Sequence, residues 1–383
     1  MRSEAQEQIS IFANSEQGVA QAAAIIASGG IGAFPTETVY GLGADATNPA
    51  AVARIYQAKG RPGDNPLILH VAAKEDFLQL ADNPPSYAHA LIDAFWPGPL
   101  TLVTKKKPGL PAWLGGHPKG APDTIGIRMP SHPAALAVIK ASGCFIAAPS
   151  ANKAGTPSPT RADHVAADFS CEDIDFILDG GAVPGGLEST VVDVTGDLPV
   201  ILRPGAVTPK MIAEVMGLEI SATDESQPGV IPGPAPDLIR DQARNGAEPS
   251  PHLSTASPPR SPGMKYRHYA PKAPMTLLMG AGDDIAEYIK TQCASRQNQR
   301  IGIMVTAQTE SKLDPGIASS NLTSVLTLGD KAETIAHNLY ACLRQFDIIG
   351  VDIIYAEGST QEGLGLAIMD RMKKAAEGRV VNV

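Results

Sequence analysis

The residues best equipped for chemistry lie between Phe34 and His70. Pro35-Thr36-Glu37-Thr38-Val39-Tyr40-Gly41-Leu42-Gly43 follows an apolar run, Gly30 to Phe34, and supplies hydroxyls and glycine backbone. Lys59-Gly60-Arg61-Pro62-Gly63-Asp64-Asn65-Pro66 supplies two cations on a stiff polar turn. Hydroxyl and backbone donors facing fixed cations suit a phosphate or a carboxylate. The same character recurs in Pro149-Ser150-Ala151-Asn152, after the apolar Phe145 to Ala148, and in Thr156-Pro157-Ser158-Pro159-Thr160. Arg128 and Arg203 sit among apolar residues, where a guanidinium is costly unless it is paired or binds an anion. Each feature also has a plainer reading. Lys59 and Arg61 complement a helix dipole, Ser-Ala-Asn is ordinary turn composition, Lys105-Lys106-Lys107 is a solvated turn, and His70 taken alone is a satisfied core histidine. There is no acidic pair with acid–base spacing and no arguable Ser-His-Asp order.

The elements that must hold these residues alternate in type. Ser15 reads as the cap of a helix over Gly18 to Ser28, followed by a strand over Ile31 to Phe34. Asn48-Pro49 opens a helix that ends at Gly60. Strands are expected over 67–71, 100–104, 124–129, 145–148, 176–178, 190–194 and 200–202, with helices over 88–95 and 133–141. Some strands follow one another directly, so a mixed sheet flanked by helices is favoured over a strict βαβ wind. From Ser221 to Ala273 the chain is dense in Pro, Gly and Ser and cannot bury a core. Within it, Ser261-Pro262-Gly263-Met264-Lys265-Tyr266-Arg267-His268-Tyr269-Ala270-Pro271 is an island of aromatics and cations suited to docking. The remainder reads as a small parallel α/β domain without a GxGxxG turn. The expected division is a first domain over 1–220, a linker over 221–273 and a C-terminal Rossmann-like domain over 274–383.

Composition narrows the function. With 383 residues, two domains are the natural expectation. A net charge of −9 gives no general attraction to nucleic acid. The four cysteines, Cys144, Cys171, Cys293 and Cys342, form no CxxC pair, which argues against zinc or a disulfide framework and fits a reducing compartment. No apolar leader or spanning stretch is present, so a cytoplasmic protein is expected.

Taken together, Pro35 to Leu42, Lys59 to Pro62, Asn65 to Leu67, Gly126 to Pro130, Pro149 to Asn152, Glu188 to Asp193 and Leu202 to Gly205 resemble the threonylcarbamoyl-adenylate synthase family in its long form. The island Ser261 to Pro271 and Glu362-Gly363-Leu364-Gly365-Leu366-Ala367-Ile368 also match that form. The resemblance implies a YrdC-like mixed twisted sheet followed by a linker and a Rossmann-like domain. It implies that L-threonine and bicarbonate form a carbamate that attacks the α-phosphate of ATP, giving threonylcarbamoyl-adenylate and pyrophosphate for tRNA threonylcarbamoyladenosine synthesis. It further implies a catalytic set of Lys59, Arg61, Ser150 and Asn152, with threonine at Thr38, His70, Arg128, Ala148 and Ser189. ATP is expected at Arg61, Asn65, Thr124, Ser150, Ser158 and Arg203, with Tyr269 closing over the site. Mg²⁺ is implied with ATP, held mainly by phosphates and water in the absence of a carboxylate cage. Expected partners are these substrates and, transiently, the proteins that transfer the threonylcarbamoyl group to tRNA, with weak or no direct tRNA binding. A non-catalytic YrdC-like RNA-binding module is the alternative, which the net charge disfavours. A carbamoyl-transfer maturation enzyme with a similar domain would add zinc-type cysteine motifs.

Overall fold

The computed structural model describes residues 9–117, 122–218 and 268–383. The Ser221 to Pro259 stretch and the Ser261 to Arg267 part of the island lie outside them. Fifteen strands are present among the described residues: β1 (Ser10–Ala13), β2 (Gly32–Phe34), β3 (Gly41–Asp45), β4 (Ile68–His70), β5 (Leu100–Lys105), β6 (Thr124–Arg128), β7 (Ile146–Ala147), β8 (Phe176–Asp179), β9 (Thr190–Asp193), β10 (Val200–Arg203), β11 (Met275–Met279), β12 (Ile301–Val305), β13 (Thr323–Thr327), β14 (Ile353–Glu357) and β15 (Val380–Asn382). The first ten form one sheet in the order β1-β8-β2-β3-β7-β4-β6-β5-β9-β10. Its pairing is mixed, parallel for β4 with β6 and antiparallel for β2 with β3 and β5 with β6. The other five form a wholly parallel sheet in the order β13-β12-β14-β11-β15. The fold is therefore the expected mixed α/β body plus a parallel α/β body.

Local chemistry sets the element ends near the site. Ser15 accepts from the Gly18 amide and caps the helix Glu16–Ala27. Asn48 accepts from the Ala50 and Ala51 amides and caps the helix Pro49–Lys59. Gly60 closes that helix at φ 61°, left-handed backbone that a β-carbon disfavours, and turns Arg61 back beside Lys59. Three strands differ from the sequence expectation. β3 has the composition Gly-Leu-Gly-Ala-Asp, with no β-branched residue, and its neighbours on both sides enforce its pairing. β1 and β15 are short edge strands with little alternation.

The first core packs Leu42, Ile55, Leu69, Leu102 and Ile127 between sheet and helices. A second cluster joins Val39 and Leu187 of the first body to Tyr340, Leu343 and Met372 of the second. The helix Ala332–Ile349 supplies Ile335, Ala336, Leu339, Tyr340, Leu343 and Phe346 to that cluster. A β-carbon at Gly186, which sits at φ 81°, would lie 2.3 Å from the Ala336 carbonyl oxygen, so only glycine permits this approach. In the second sheet, Glu357 accepts from the Thr306 amide at 2.7 Å and from Thr309 Oγ1 at 2.9 Å. A carboxylate of the chain thus occupies the strand-end position where doubly wound sheets bind phosphate. Among the described residues no helix is long and apolar enough to cross a membrane.

Candidate active site

A cavity of about 300 Å³ opens beside the ends of β3, β4 and β6 and is lined by every sequence-predicted site residue except Thr124. Thr124 begins β6, opposite Lys105, whereas Arg128 ends it at the cavity. Four residues of strand put the two roughly 13 Å apart, so Thr124 stands outside the cavity lining.

Lys59 is buried at the last turn of its helix. Its ammonium donates to the Ser150 carbonyl at 2.5 Å and to the Asn152 carbonyl. Ser150 Oγ donates to Asn152 Oδ1 at 2.5 Å, and Asn152 Nδ2 donates to the Lys153 and Thr156 carbonyls. Lys59, Ser150 and Asn152 are therefore one hydrogen-bonded unit. This modifies the sequence expectation that Lys59 simply faces a ligand: its first task is to hold the loop after β7. Arg61 donates from Nε to the Asn65 carbonyl at 3.1 Å and from Nη2 to Asn65 Oδ1 at 2.9 Å and the Pro66 carbonyl at 2.6 Å. The residue clamps the Pro62–Pro66 turn as well as lining the cavity, so it is more than a helix-end charge. Arg61→Ala is expected to cost at least about 2 kcal/mol in transition-state stabilisation, as for one preorganised donor. A modest loss of thermal stability should accompany it as the turn loosens. Near-normal turnover in steady-state assays would remove Arg61 from the machinery.

The opposite wall is built by β4, β6 and the Thr36 turn. Thr36 Oγ1 donates to the Val39 carbonyl and lies 2.8 Å from Thr38 Oγ1, which fixes both hydroxyls. His70 pairs with Arg128 across the β4–β6 ladder. Burial, then the Arg128 charge, pulls the His70 ring down to about 3, so it is neutral at physiological pH. Its buried Nδ1 has no hydrogen-bond partner among the described residues, which sets it apart from a fully satisfied core histidine. Arg128 is 4% exposed and pairs with Glu37 at 2.6 Å. Ser189 Oγ lies 2.8 Å from Thr101 Oγ1 and accepts from Arg203 Nη2 at 3.1 Å. Ala148 closes the floor between them, its amide bonded to the Ile68 carbonyl.

His268 and Tyr269, at the end of the linker, also line the cavity, and the Ala270 amide donates to the Gly155 carbonyl at 3.0 Å. This end of the island does dock, as its composition suggested. Tyr269 takes a left-handed backbone at φ 65° and stacks on Tyr340 at 5.5 Å. Sequence reasoning assigned no role to Glu188 or His268, which complete the lining. The available signal for Glu188 was an acid standing two positions before the Thr190–Val194 run expected to be a strand.

Comparison with known proteins places this arrangement. A family model described as "Telomere recombination" matches residues 24–205, and one described as "Threonylcarbamoyl-AMP synthase, C-terminal domain" matches residues 207–377. The threonylcarbamoyl-AMP synthases of Pyrococcus abyssi and Bacillus subtilis are each 42% identical to this chain. The alignments cover 94% and 95% of this chain, and 95% and 94% of those proteins. The chain belongs to the threonylcarbamoyl-AMP synthase family. The crystal structure of P. abyssi Sua5 complexed with L-threonine matches with a TM-score of 0.80 at 40% identity, over 98% of this chain and 100% of that chain. A shorter relative of this family from Mycobacterium tuberculosis is 38% identical over 206 residues, which are 92% of its length and 54% of this chain.

Proposed function

We propose that the protein makes threonylcarbamoyl-AMP from L-threonine, bicarbonate and ATP. The observation that carries this reading is that one cavity holds two recognition sets. Arg128 and the neutral ring of His70, with the hydroxyls of Thr38 and Ser189, suit the carboxylate and polar groups of an amino acid. Lys59, Arg61 and Arg203, with Ser150 and Ser158, suit a triphosphate. In the reaction the threonine nitrogen adds to bicarbonate with loss of water, giving a carbamate. A carbamate oxygen attacks the α-phosphorus of ATP, the bond to the bridging oxygen breaks, and pyrophosphate leaves. Fixed cations along the phosphates stabilise the charge that develops in this in-line displacement.

Mg²⁺ enters this proposal with ATP. Glu188 is the one carboxylate lining the cavity among the described residues, and both its oxygens are already hydrogen-bonded. Among the described residues no cluster of three metal-ligating side chains occurs. The donor set therefore fits an ion held by phosphate and water, whose charge would help neutralise the triphosphate. His268 and Tyr269 support a shielding role for the linker end, since an adenylate is labile to water. The product is passed to proteins that transfer the threonylcarbamoyl group to tRNA, through transient contact and without strong tRNA binding by this chain. The free thiols of Cys144, Cys171, Cys293 and Cys342 are in keeping with work in the cytoplasm. Incubation with ATP, bicarbonate and labelled threonine is expected to release pyrophosphate only when both co-substrates are present, with the label in an adenylate. ATP turnover indifferent to threonine would sink the reading, and no ATP turnover with RNA bound would return the RNA-binding alternative.

A further inference from the structure

We propose that Arg371, on the C-terminal domain, is a positioning residue for the phosphate end of the first domain's cavity. It neutralises Glu188, so that Arg203 presents its charge to the substrate and not to a carboxylate. The proposal rests on the reading of the cavity as an ATP site and adds a part played by the second domain.

Glu188 is 7% exposed and is the one acidic residue lining the cavity among the described residues. A free carboxylate there would repel a triphosphate and draw Arg203 toward itself. The second domain prevents this. Arg371 Nε donates to Glu188 Oε2 at 2.8 Å, and the Tyr340 hydroxyl lies 3.0 and 3.1 Å from the two carboxylate oxygens. Ser158, of the first domain, donates to Oε1 at 2.5 Å. Burial pushes the Glu188 carboxyl up, and Arg371, Arg203 and the Ser158 bond more than offset it, down to about 2. The group is thus a carboxylate at neutral pH. Arg371 also pairs with Asp370 at 2.6 Å, and Asp370 with Lys374 at 2.8 Å. Two carboxylates meet two cations, and the hydrogen bonds of Arg203 go to Ser189, not to an acid.

Arg371 has no exposed surface and does not line the cavity, so it acts through Glu188. It also lies over the Tyr269 ring at 5.5 Å. One guanidinium therefore steadies both a carboxylate of the wall and the aromatic that closes it. The placement gives a physical reason for the Glu362 to Ile368 segment. Gly363, at φ 52°, starts the helix Leu364–Ala375, and a β-carbon at Gly365 would meet the Thr360 carbonyl oxygen at 2.2 Å. The helix start is thereby packed tightly on its loop, and Arg371 follows Leu364 by two turns on the same face.

The test uses the full chain, with ATP itself as the probe in calorimetry and Michaelis constants for both substrates. Arg371→Met is expected to weaken ATP by at least about tenfold and threonine by less than about twofold. Adding Glu188→Gln removes the stranded charge while keeping the bonds to Ser158 and Tyr340. The double variant R371M/E188Q should return ATP affinity to within about threefold of wild type. Equal losses for both substrates, or no recovery in a folded double variant, would show that Arg371 only docks the domains and would overturn the proposal. If Arg371→Met alone fails to fold, Tyr340→Phe decides. It removes the hydroxyl from Glu188 and keeps the ring on Tyr269, and ATP should weaken by about threefold; unchanged ATP affinity refutes the idea. Wild type that binds ATP but forms no threonine-dependent pyrophosphate would sink the synthase reading alone, with the affinity series still deciding the role of Arg371. Wild type that binds no ATP sinks both.

Discussion

Lys59→Met should lower threonine-dependent pyrophosphate formation by roughly 10²- to 10³-fold, the scale of losing one preorganised donor at developing charge. The substitution keeps the length of the aliphatic stem and removes the ammonium. Two buried carbonyls, of Ser150 and Asn152, then lose their shared donor, at about 1–3 kcal/mol each. A fall in melting temperature should therefore accompany the fall in turnover. Burial first, and then Arg61, pulls the lysine well below its ordinary protonation range, with Asp168 opposing. Between that lowered value and the ordinary lysine value the unfolded chain binds more protons than the folded one. Stability contributed by this group thus rises with pH across the window and is lowest below it. Wild type should gain more stability than Lys59→Met on going from neutral to alkaline pH in denaturant titrations.

The second large effect is expected at Arg128. Its guanidinium is held by Glu37 at 2.6 Å and by the Gly98 carbonyl at 3.3 Å, so its plane is set before any ligand arrives. Arg128→Lys keeps the charge and a partner for Glu37 but loses the fork that grips a carboxylate with two parallel bonds. Threonine should bind about ten- to a hundredfold more weakly, the value of a charge-assisted bond at about 1.5–3 kcal/mol. ATP affinity should stay within about twofold. Retained pairing with Glu37 should limit the loss of stability, whereas Arg128→Met would strand the Glu37 carboxylate at about 3–5 kcal/mol. Parallel losses for threonine and ATP in calorimetry would count against a carboxylate-binding Arg128.

Much of the site could be read from the sequence because its parts are local. Strand ends followed at once by Ser, Thr, Asn and Arg announce polar groups at a sheet edge, and Thr36, Ser150 and Arg203 stand where that pattern put them. What escaped was set at long range. β3 carries no strand signal of its own and is made a strand by β2 and β7. Lys59 reads as a helix-end charge until the loop more than ninety positions away brings its carbonyls to it. His70 reads as a core residue because no spacing reveals that one of its nitrogens lacks a partner among the described residues. The link between Glu188 and Arg371 spans 183 positions, and nothing near either residue hints at the other. Thr124, named by resemblance alone, begins β6 and stands away from the cavity lining that Arg128 reaches at the strand's other end.

The carboxylate of Glu188 and the guanidinium that answers it belong to different domains, and this bears on how such a chain can change by descent. Drift that removes Arg371 strands a charge in the wall of a site it does not touch, so it is tolerated only with loss of the Glu188 charge. A gene shortened to its first half loses Arg371 and Tyr340 together, and the carboxylate of Glu188 would then be left to water. The unit that selection acts on here is the pair of residues, and the boundary between domains does not divide it.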